Sequence, residues 1–372
     1  MTVPVVILGG GLAGAAAAAG LARAGANVTL LEREAGPTDK ICGEFLSIEA
    51  QKYLTNLGID LAPLGGHNIQ RLTLVRRGKC IEAPLPFQGL GISRRRLDEA
   101  LLDHATKCGA RVIRGHAVNR IIAGADITVE TGDTRAFKAK TLFLATGKHE
   151  MRGFRRATKT PEDLVGFKMY FRLNTHAQAR LAGRIALILF AGGYAGLQLV
   201  EDQKANLCLL ASRARLNQAG GIWAGLLDDL RRETPYLASA LSGAEPLLEK
   251  PLTIFRVPYG YVHRPAATDD PRIFRLGDQA GVIPSFTGDG MAIALHSAAR
   301  AVSCHLNGES ATAYHKRLAT DISGQIGHAI QLYALAQNPW LQPVFFGLAR
   351  LWPQGLGLAA LMTRVPERAR AA

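Results

Sequence analysis

The chain has 372 residues, 48% of them hydrophobic, with 44 basic against 30 acidic side chains for a formal net charge of +14. That length suits two or three packed units with an ample core and excludes a small disulfide-stapled scaffold or a disordered chain. Five widely spaced cysteines, Cys42, Cys80, Cys108, Cys208 and Cys304, form no Cys-x-x-Cys or Cys/His pattern, so no metal site is expected and a reducing compartment is implied.

Residues 3–8 are an apolar run of strand type, followed by Gly9-Gly10-Gly11-Leu12-Ala13-Gly14 and an alanine-rich helical run over 15–24 that Gly25 stops. Residues 28–31 make a second strand, which Glu32 ends. Strand, glycine loop, helix, strand and acid in that order mark a dinucleotide site. Gly9 permits the turn, Gly11 lets backbone approach a pyrophosphate, and Gly14 brings the helix against the sheet. The helix start offers N–H groups and a positive dipole end to phosphates. Glu32 is placed to accept from ribose hydroxyls, and Arg33 beside it is counted with the same site. The stretch 3–22 lacks a basic leader and is broken by glycines, so it reads as a strand–helix unit rather than a signal peptide.

Ser93 and Arg94-Arg95-Arg96 open a helix in which Leu97, Leu101, Leu102 and Ala105 keep helical spacing. Strand-like runs at 111–122, 127–130 and 141–146, with a hairpin turn at Gly132-Asp133, return the chain to the first sheet. A separate β-rich block begins near Leu164. Runs at 166–173, 185–191, 194–200 and 205–211 have the spacing of a meander, and 252–257 adds another strand.

Downstream come Gly277-Asp278-Gln279-Ala280-Gly281 and Gly288-Asp289-Gly290-Met291. A second loop so far from the first suggests that the dinucleotide is FAD, whose ribityl chain reaches beyond the first phosphate loop. No uninterrupted apolar run is long enough to span a bilayer, and the cytoplasm is the expected compartment. Residues 339–346 and 348–362 are nevertheless largely apolar, with Trp340, Trp352, Arg350 and Arg364 in or beside them. They either cap a substrate cavity, the reading slightly favoured, or rest against a membrane surface. No nucleic-acid motif occurs and no basic stripe interleaves with aromatics, so the positive charge does not imply a nucleic-acid partner.

Taken together, the glycine loop with Glu32, then Cys42-Gly43-Glu44-Phe45-Leu46-Ser47, Arg94-x-x-Leu97-Asp98, Gly277-Asp278-x-Ala280-Gly281 and Gly288-x-Gly290 resemble the geranylgeranyl reductase family of flavoproteins, within the para-hydroxybenzoate-hydroxylase-like group. The resemblance spans residues 1 to about 305. It implies a mixed α/β fold: a doubly wound Rossmann-type FAD-binding domain (1–70, 91–160 and 270–305), an inserted antiparallel β-sheet substrate domain (71–90 and 161–269) and a C-terminal helical segment (306–372).

The resemblance also implies roles. Ala13 lies in the phosphate loop, Arg94 faces the FAD phosphates, and Val118 sits on a strand whose backbone meets adenine. Gly277 and Asp278 hold the ribityl chain. Gly288, Gly290 and Met291 lead into a helix aimed at the flavin pyrimidine. Cys42 and Gly43 run beside the isoalloxazine, and Cys42 is a candidate for direct chemistry. Its alternative is that of a small buried hydrophobe.

Family reductases carry Tyr-x-Trp-x-Phe-Pro in the substrate channel, whereas this chain has Gly193-Tyr194-Ala195-Gly196-Leu197-Gln198-Leu199, which keeps only Tyr194 as a second catalytic candidate. The Asp-Gly pair of aromatic hydroxylases is replaced by Thr146-Gly147-Lys148, and the Trp-x-Trp-x-Ile-Pro of halogenases is absent. Lys148, His149, Gln198, Tyr259 and His263 are further polar candidates for orienting substrate or moving a proton.

The expectation is an FAD-dependent oxidoreductase acting on a small lipophilic polyketide, isoprenoid or quinone-like molecule. Reduction or dehydrogenation of a carbon–carbon bond is slightly favoured over hydroxylation by a monooxygenase. A flavin-bearing electron-transfer protein is the alternative of another class. With no second glycine-rich nucleotide fold, NAD(P)H is expected only as a transient donor. The oligomeric state is not read from the sequence.

Overall fold

The computed structural model describes residues 4–156, 163–338 and 340–370. Its first layer is a five-stranded parallel sheet in the order Ile273–Arg275, Thr141–Leu144, Val5–Leu8, Val28–Glu32, Arg111–Arg114. Val5–Leu8 and Thr141–Leu144 are buried at every position, as central strands covered on both faces must be. The helix Leu12–Arg23 contacts both Arg94–Lys107 and Gly290–Leu306. Its run Ala15 to Ala19 keeps side chains small enough for such close approach, and all five are buried.

The stretch 111–122 does not return to this sheet as one strand. Arg111–Arg114 stays in it, whereas Val118–Ala123 joins Ile127–Thr131 and Ala136–Ala139 in a separate antiparallel sheet. Gly115, at φ +80°, turns the chain between them. Pairing with the second strand ends there, where His116 N–H donates to the Glu32 carbonyl.

A nine-stranded sheet forms the second layer. Its order is Glu245–Pro246, Leu164–Arg172, Ala205–Ser212, Gly193–Leu199, Arg184–Phe190, His67–Arg76, Lys79–Gly91, Phe45–Leu46, with Leu252–Phe255 also paired to Leu164–Arg172. It is not wholly antiparallel, because Arg184–Phe190 runs parallel to His67–Arg76. The hairpin at 67–91 arrives from far earlier in the chain, so no tight turn forces these two neighbours to oppose each other. The sheet also reaches further into the N-terminal region than 71–90, taking in Phe45–Leu46.

Strand pleating sorts the side chains of this sheet. Phe167, Met169 and Phe171, with Ala195, Leu197, Leu207 and Leu209, pack one face against the Trp223–Glu233 and Pro235–Ala240 helices. The intervening residues, Gly166, Lys168, Tyr170, Tyr194, Gln198, Asn206 and Cys208, therefore point the other way, toward the parallel-sheet domain. The 27-residue helix Ala311–Gln337 leads to a pair, Gln342–Leu351 and Gln354–Met362, bent by 117°. Among the described residues no single helix is long and apolar enough to cross a membrane.

Candidate functional site

The glycine loop leaves space only along one side. A Cβ on Gly9 would lie 2.4 Å from the Ala145 carbonyl oxygen, and one on Gly14 would lie 1.9 Å from that of Gly9. Gly9 also has φ +100°. Gly11 differs, since its Cβ would meet only Arg94 Nη2, at 3.2 Å. Helix and strand thus close on each other at Gly9 and Gly14, while Gly11 faces the cavity with Leu12 and Ala13.

Ser93 caps the Arg94–Lys107 helix, its Oγ accepting from Arg96 N–H at 3.2 Å and itself donating to Glu201 at 2.6 Å. The first helical residue, Arg94, is thereby aimed across the loop. Its guanidinium forks onto Asp98 at 2.7 and 2.9 Å, which fixes the donors beside Gly11 rather than in solvent.

On the other side of the loop a small cleft is lined by Gly10, Gly11, Glu32, Lys40, Asp98 and Arg114, among others. Glu32 accepts from Gly10 N–H at 2.5 Å and from Glu34 N–H at 2.9 Å. Arg33 lies outside this cleft, half exposed, paired with Glu34 and 3.3 Å from His149 Nε2. Val118 lines neither cleft nor cavity. It packs at the edge of a core cluster with Val6, Leu8 and Leu31.

The second loop closes from below. Gly277, at φ +57°, would place a Cβ 3.2 Å from that of Ala13, so the two remote loops touch. Its N–H donates to Ser297 Oγ at 2.8 Å. Arg156 donates to the Asp278 carbonyl at 2.9 Å and to the Lys148 carbonyl at 2.8 Å. Gln279 Nε2 holds the carbonyls of Gly147 and His149. Gly288, at φ +71°, turns the chain before Asp289, and Gly290 and Met291 open the Gly290–Leu306 helix at the cavity wall.

Between the layers runs the Cys42-Gly43-Glu44 strap. Asn206 Nδ2 donates to the Cys42 and Gly43 carbonyls at 3.1 and 3.0 Å, and Cys42 Sγ accepts from Glu44 N–H at 3.4 Å. No atom stands within 4 Å of a Gly43 Cβ, so bare backbone is presented there. Glu44 has φ +61° and no solvent exposure. Its carboxylate accepts from Lys168 Nζ at 2.5 Å, Tyr170 OH at 2.7 Å and Arg94 N–H at 2.8 Å. Burial pushes this carboxyl above the usual range, against the pull of Lys168. The motif drew attention to Glu44, but nothing local to Lys168 or Tyr170 marked them as its partners.

These parts enclose one cavity of about 2020 Å³, its open mouth included. Its wall runs without a break from the nucleotide loops to an apolar chamber. Gly11, Ala13, Cys42, Gly43, Arg94, Gly277, Asp278, Gly288, Gly290 and Met291 line one part. Leu72, Leu74, Ile185, Leu187, Leu210, Phe345 and Leu356 make the rest apolar.

Within the apolar part, Tyr194 OH lies 3.1 Å from Tyr259 OH, which donates to Ser285 Oγ at 2.7 Å. Burial, reinforced by Tyr259, holds the Tyr194 hydroxyl protonated far above neutral pH. Burial also pushes the Cys208 thiol up to about 12. Lys148 lines the cavity and donates to the Ile41 carbonyl at 2.9 Å.

His149, Gln198 and His263 do not line it. Gln198 is buried with both amide atoms unpartnered, and His263 stacks edge-on against His315, with ring centroids 4.4 Å apart. Thr363 and Arg364 from the chain's end complete the wall. Pro339, in the apolar C-terminal run, lies outside the described residues. Among the described residues no cluster suited to a metal ion occurs.

Residues 2–142 match the FAD-binding domain family, and the cofactor is FAD. The constricted Gly9–Gly14 turn, open Gly11, exposed Gly43 backbone and converging second loop fit that group. The chain is 34% identical over 116 residues to a menaquinone reductase of Mycobacterium tuberculosis, covering 30% of this chain and 28% of the relative. It is 25% identical over 350 residues to tryptophan 2-halogenase of Chondromyces crocatus, covering 84% of this chain and 64% of the relative. In both cases the match spans less than two thirds of the relative's length. The fold is similar to that of the flavin-dependent brominase Bmp2, with TM-score 0.78 and 16% identity over 98% of this chain and 93% of the other.

Proposed function

We infer that the protein is an FAD-dependent oxidoreductase that reduces or dehydrogenates a carbon–carbon bond in a lipophilic, isoprenoid or quinone-like molecule. The observation that carries this reading is the continuity of one cavity from the nucleotide loops to an apolar chamber that holds the Tyr194–Tyr259–Ser285 hydroxyl chain. A pure electron carrier has no use for such a chamber. The partial match to menaquinone reductase and the resemblance to geranylgeranyl reductases support the same substrate class.

Bound and reduced, FAD would supply the hydride chemistry that saturation of a substrate double bond needs. The chain's part is to place the substrate and hand a proton to a carbon of that bond. Apolar walls at Leu72, Leu187, Leu210 and Phe345 exclude water from an isoprenoid or ring. Tyr194, kept protonated by burial, orients a substrate oxygen or delivers the proton, and it is reprotonated by Tyr259 once that hydroxyl turns from Ser285 to Tyr194. The first turn of the Gly290–Leu306 helix, at the cavity wall, would offer N–H groups and a positive dipole end to a reduced, negatively charged flavin. NAD(P)H is the proposed reductant, engaging transiently.

The 350-residue alignment to a halogenase favours a second reading, oxygen-dependent hydroxylation or related oxygenation in the same chamber. Holoprotein reduced without oxygen and mixed with menaquinone separates the two. Return of the oxidised-flavin absorbance with a product that stays heavier by two hydrogens after the quinol is reoxidised to the quinone supports reduction of a carbon–carbon bond. Product that forms only in air and gains one oxygen atom overturns it.

A further inference from the structure

We propose that the outer face of the Gln342–Leu351 and Gln354–Met362 helix pair docks on an anionic lipid bilayer. Large apolar side chains are displayed there with little cover: Trp340 is 86% exposed, Leu351 85%, Leu348 62% and Trp352 58%. They are not scattered. Val344, Leu348 and Leu351 fall at i, i+4 and i+7 on one stripe of the first helix, and Leu358, Leu361 and Met362 at i, i+3 and i+4 on the second. The opposite side of the same helices is also apolar, since Phe345 and Leu356 line the cavity. A helix that is apolar all round is normally buried on all sides, and here protein covers only one.

Charge selects the occupant. From Ile322 through Pro366 the sequence has no aspartate or glutamate, while Arg350 is exposed on the first helix. Arg76, in the adjoining hairpin, reaches Gln342 at 2.9 Å, and Arg77 and Lys79 follow it at the turn. Tryptophan before the first helix and at the 117° bend, leucine between and arginine beside them suit the boundary of acyl chains and negatively charged headgroups. The net charge of +14 adds long-range attraction to such a surface. Neither helix is long enough to span by itself, and the 117° bend with one face packed on the cavity wall sets the pair along the surface. This surface stands whichever reaction the cavity carries out.

The test is sedimentation of the FAD-loaded full chain with phosphatidylcholine vesicles, with and without phosphatidylglycerol. Expected is binding to the anionic vesicles about tenfold tighter than to the neutral ones, weakened but not abolished by salt. Neither Leu348 nor Leu351 touches the cavity, so Leu348→Glu with Leu351→Glu should reduce binding at least about tenfold while the bound-FAD spectrum and turnover of a water-soluble quinone stay unchanged. Holoprotein that remains in the supernatant with both vesicle types overturns the proposal, as does a variant that binds like the parent. A parent that is dimeric in light scattering while the variant is monomeric also overturns it, by assigning the face to a second copy of the chain. Loss of flavin or turnover in the parent would instead count against the reaction.

Discussion

Arg364 Nη1 lies 3.0 Å from Asp289 Oδ1, and this buried ion pair ties the end of the C-terminal helix pair to the residue that precedes the Gly290–Leu306 helix. Ser47 Oγ and Val365 N–H also donate to Asp289, at 3.1 Å each, and Arg364 stacks over the rings of Phe45 and Phe87. Burial raises the Asp289 carboxyl to about 6 against the opposing pull of Arg364. Strap, second loop and C-terminal segment thus meet at one carboxylate.

Arg364→Met leaves Asp289 buried without its cation. A loss of about 3–5 kcal/mol is expected by chemical denaturation, with weaker FAD retention on dialysis. Adding Asp289→Asn should recover part of the stability, because the uncompensated charge goes. A full loss retained in the double variant would assign the effect to packing alone.

Lys168→Met exposes Glu44 to the same penalty. The lysine is fully buried and 2.5 Å from the carboxylate. Stability should fall by roughly 3–5 kcal/mol, and Lys168→Met with Glu44→Gln should restore most of it. Thermal melts of the four proteins complete the cycle.

Gly14→Ala and Gly11→Ala separate folding from cofactor binding. The first forces a Cβ to 1.9 Å from the Gly9 oxygen, so little folded protein is expected. The second meets only Arg94 Nη2 at 3.2 Å, so a folded protein with FAD affinity reduced by tenfold or more, about 1.4 kcal/mol, should be recovered. Circular dichroism and flavin titration read the two outcomes.

Tyr194→Phe removes the hydroxyl that meets Tyr259 at 3.1 Å and keeps the ring packed on Phe286 and Tyr333. If the chain moves a proton, kcat should drop about 100-fold with little change in stability. An unchanged kcat with a raised KM would limit Tyr194 to orienting substrate.

His315 and His263 predict acid lability. Burial lowers His315 to about 2 and His263 to about 4, with Arg275 adding to both, His263 adding to His315, and Asp269 opposing at His263. Geometry agrees, because His315 Nε2 accepts from Arg275 N–H at 2.9 Å and must be unprotonated there. Both values lie below the unfolded value near 6.5, so this stabilisation is full above pH 6.5 and drains away as pH falls toward the folded values. For His315→Gln, which keeps an acceptor, the stability lost between pH 6.5 and 4 should be smaller than in the parent by on the order of 3 kcal/mol. Urea denaturation across that range measures the difference.

The order of elements around the glycine loop was legible because its determinants are local. Gly14 is fixed by its contact with Gly9 within one strand–turn–helix unit and Gly9 by its own positive φ, although the Ala145 carbonyl that crowds Gly9 comes from a distant strand end. The second loop was legible from its glycines, and the structure brings Gly277 against Ala13. The break at Gly115 passed unnoticed because the apolar pattern runs through it, while only the glycine's positive φ parts the two sheets. Arg33 follows Glu32 in sequence, yet successive side chains on an extended backbone point to opposite sides, and it faces away from the cleft.

What sequence alone determined is the identity of the nucleotide-binding unit and the turn positions that admit it, since steric limits on backbone act over a few residues. What only the tertiary structure decided is which distant charges meet. Lys168 reaches Glu44 across 124 positions and Arg364 reaches Asp289 across 75. Such pairs leave no periodicity or spacing in a single chain. They become visible once hydrophobic burial has brought the two layers and the C-terminal helices together and removed the water that would otherwise solvate each charge.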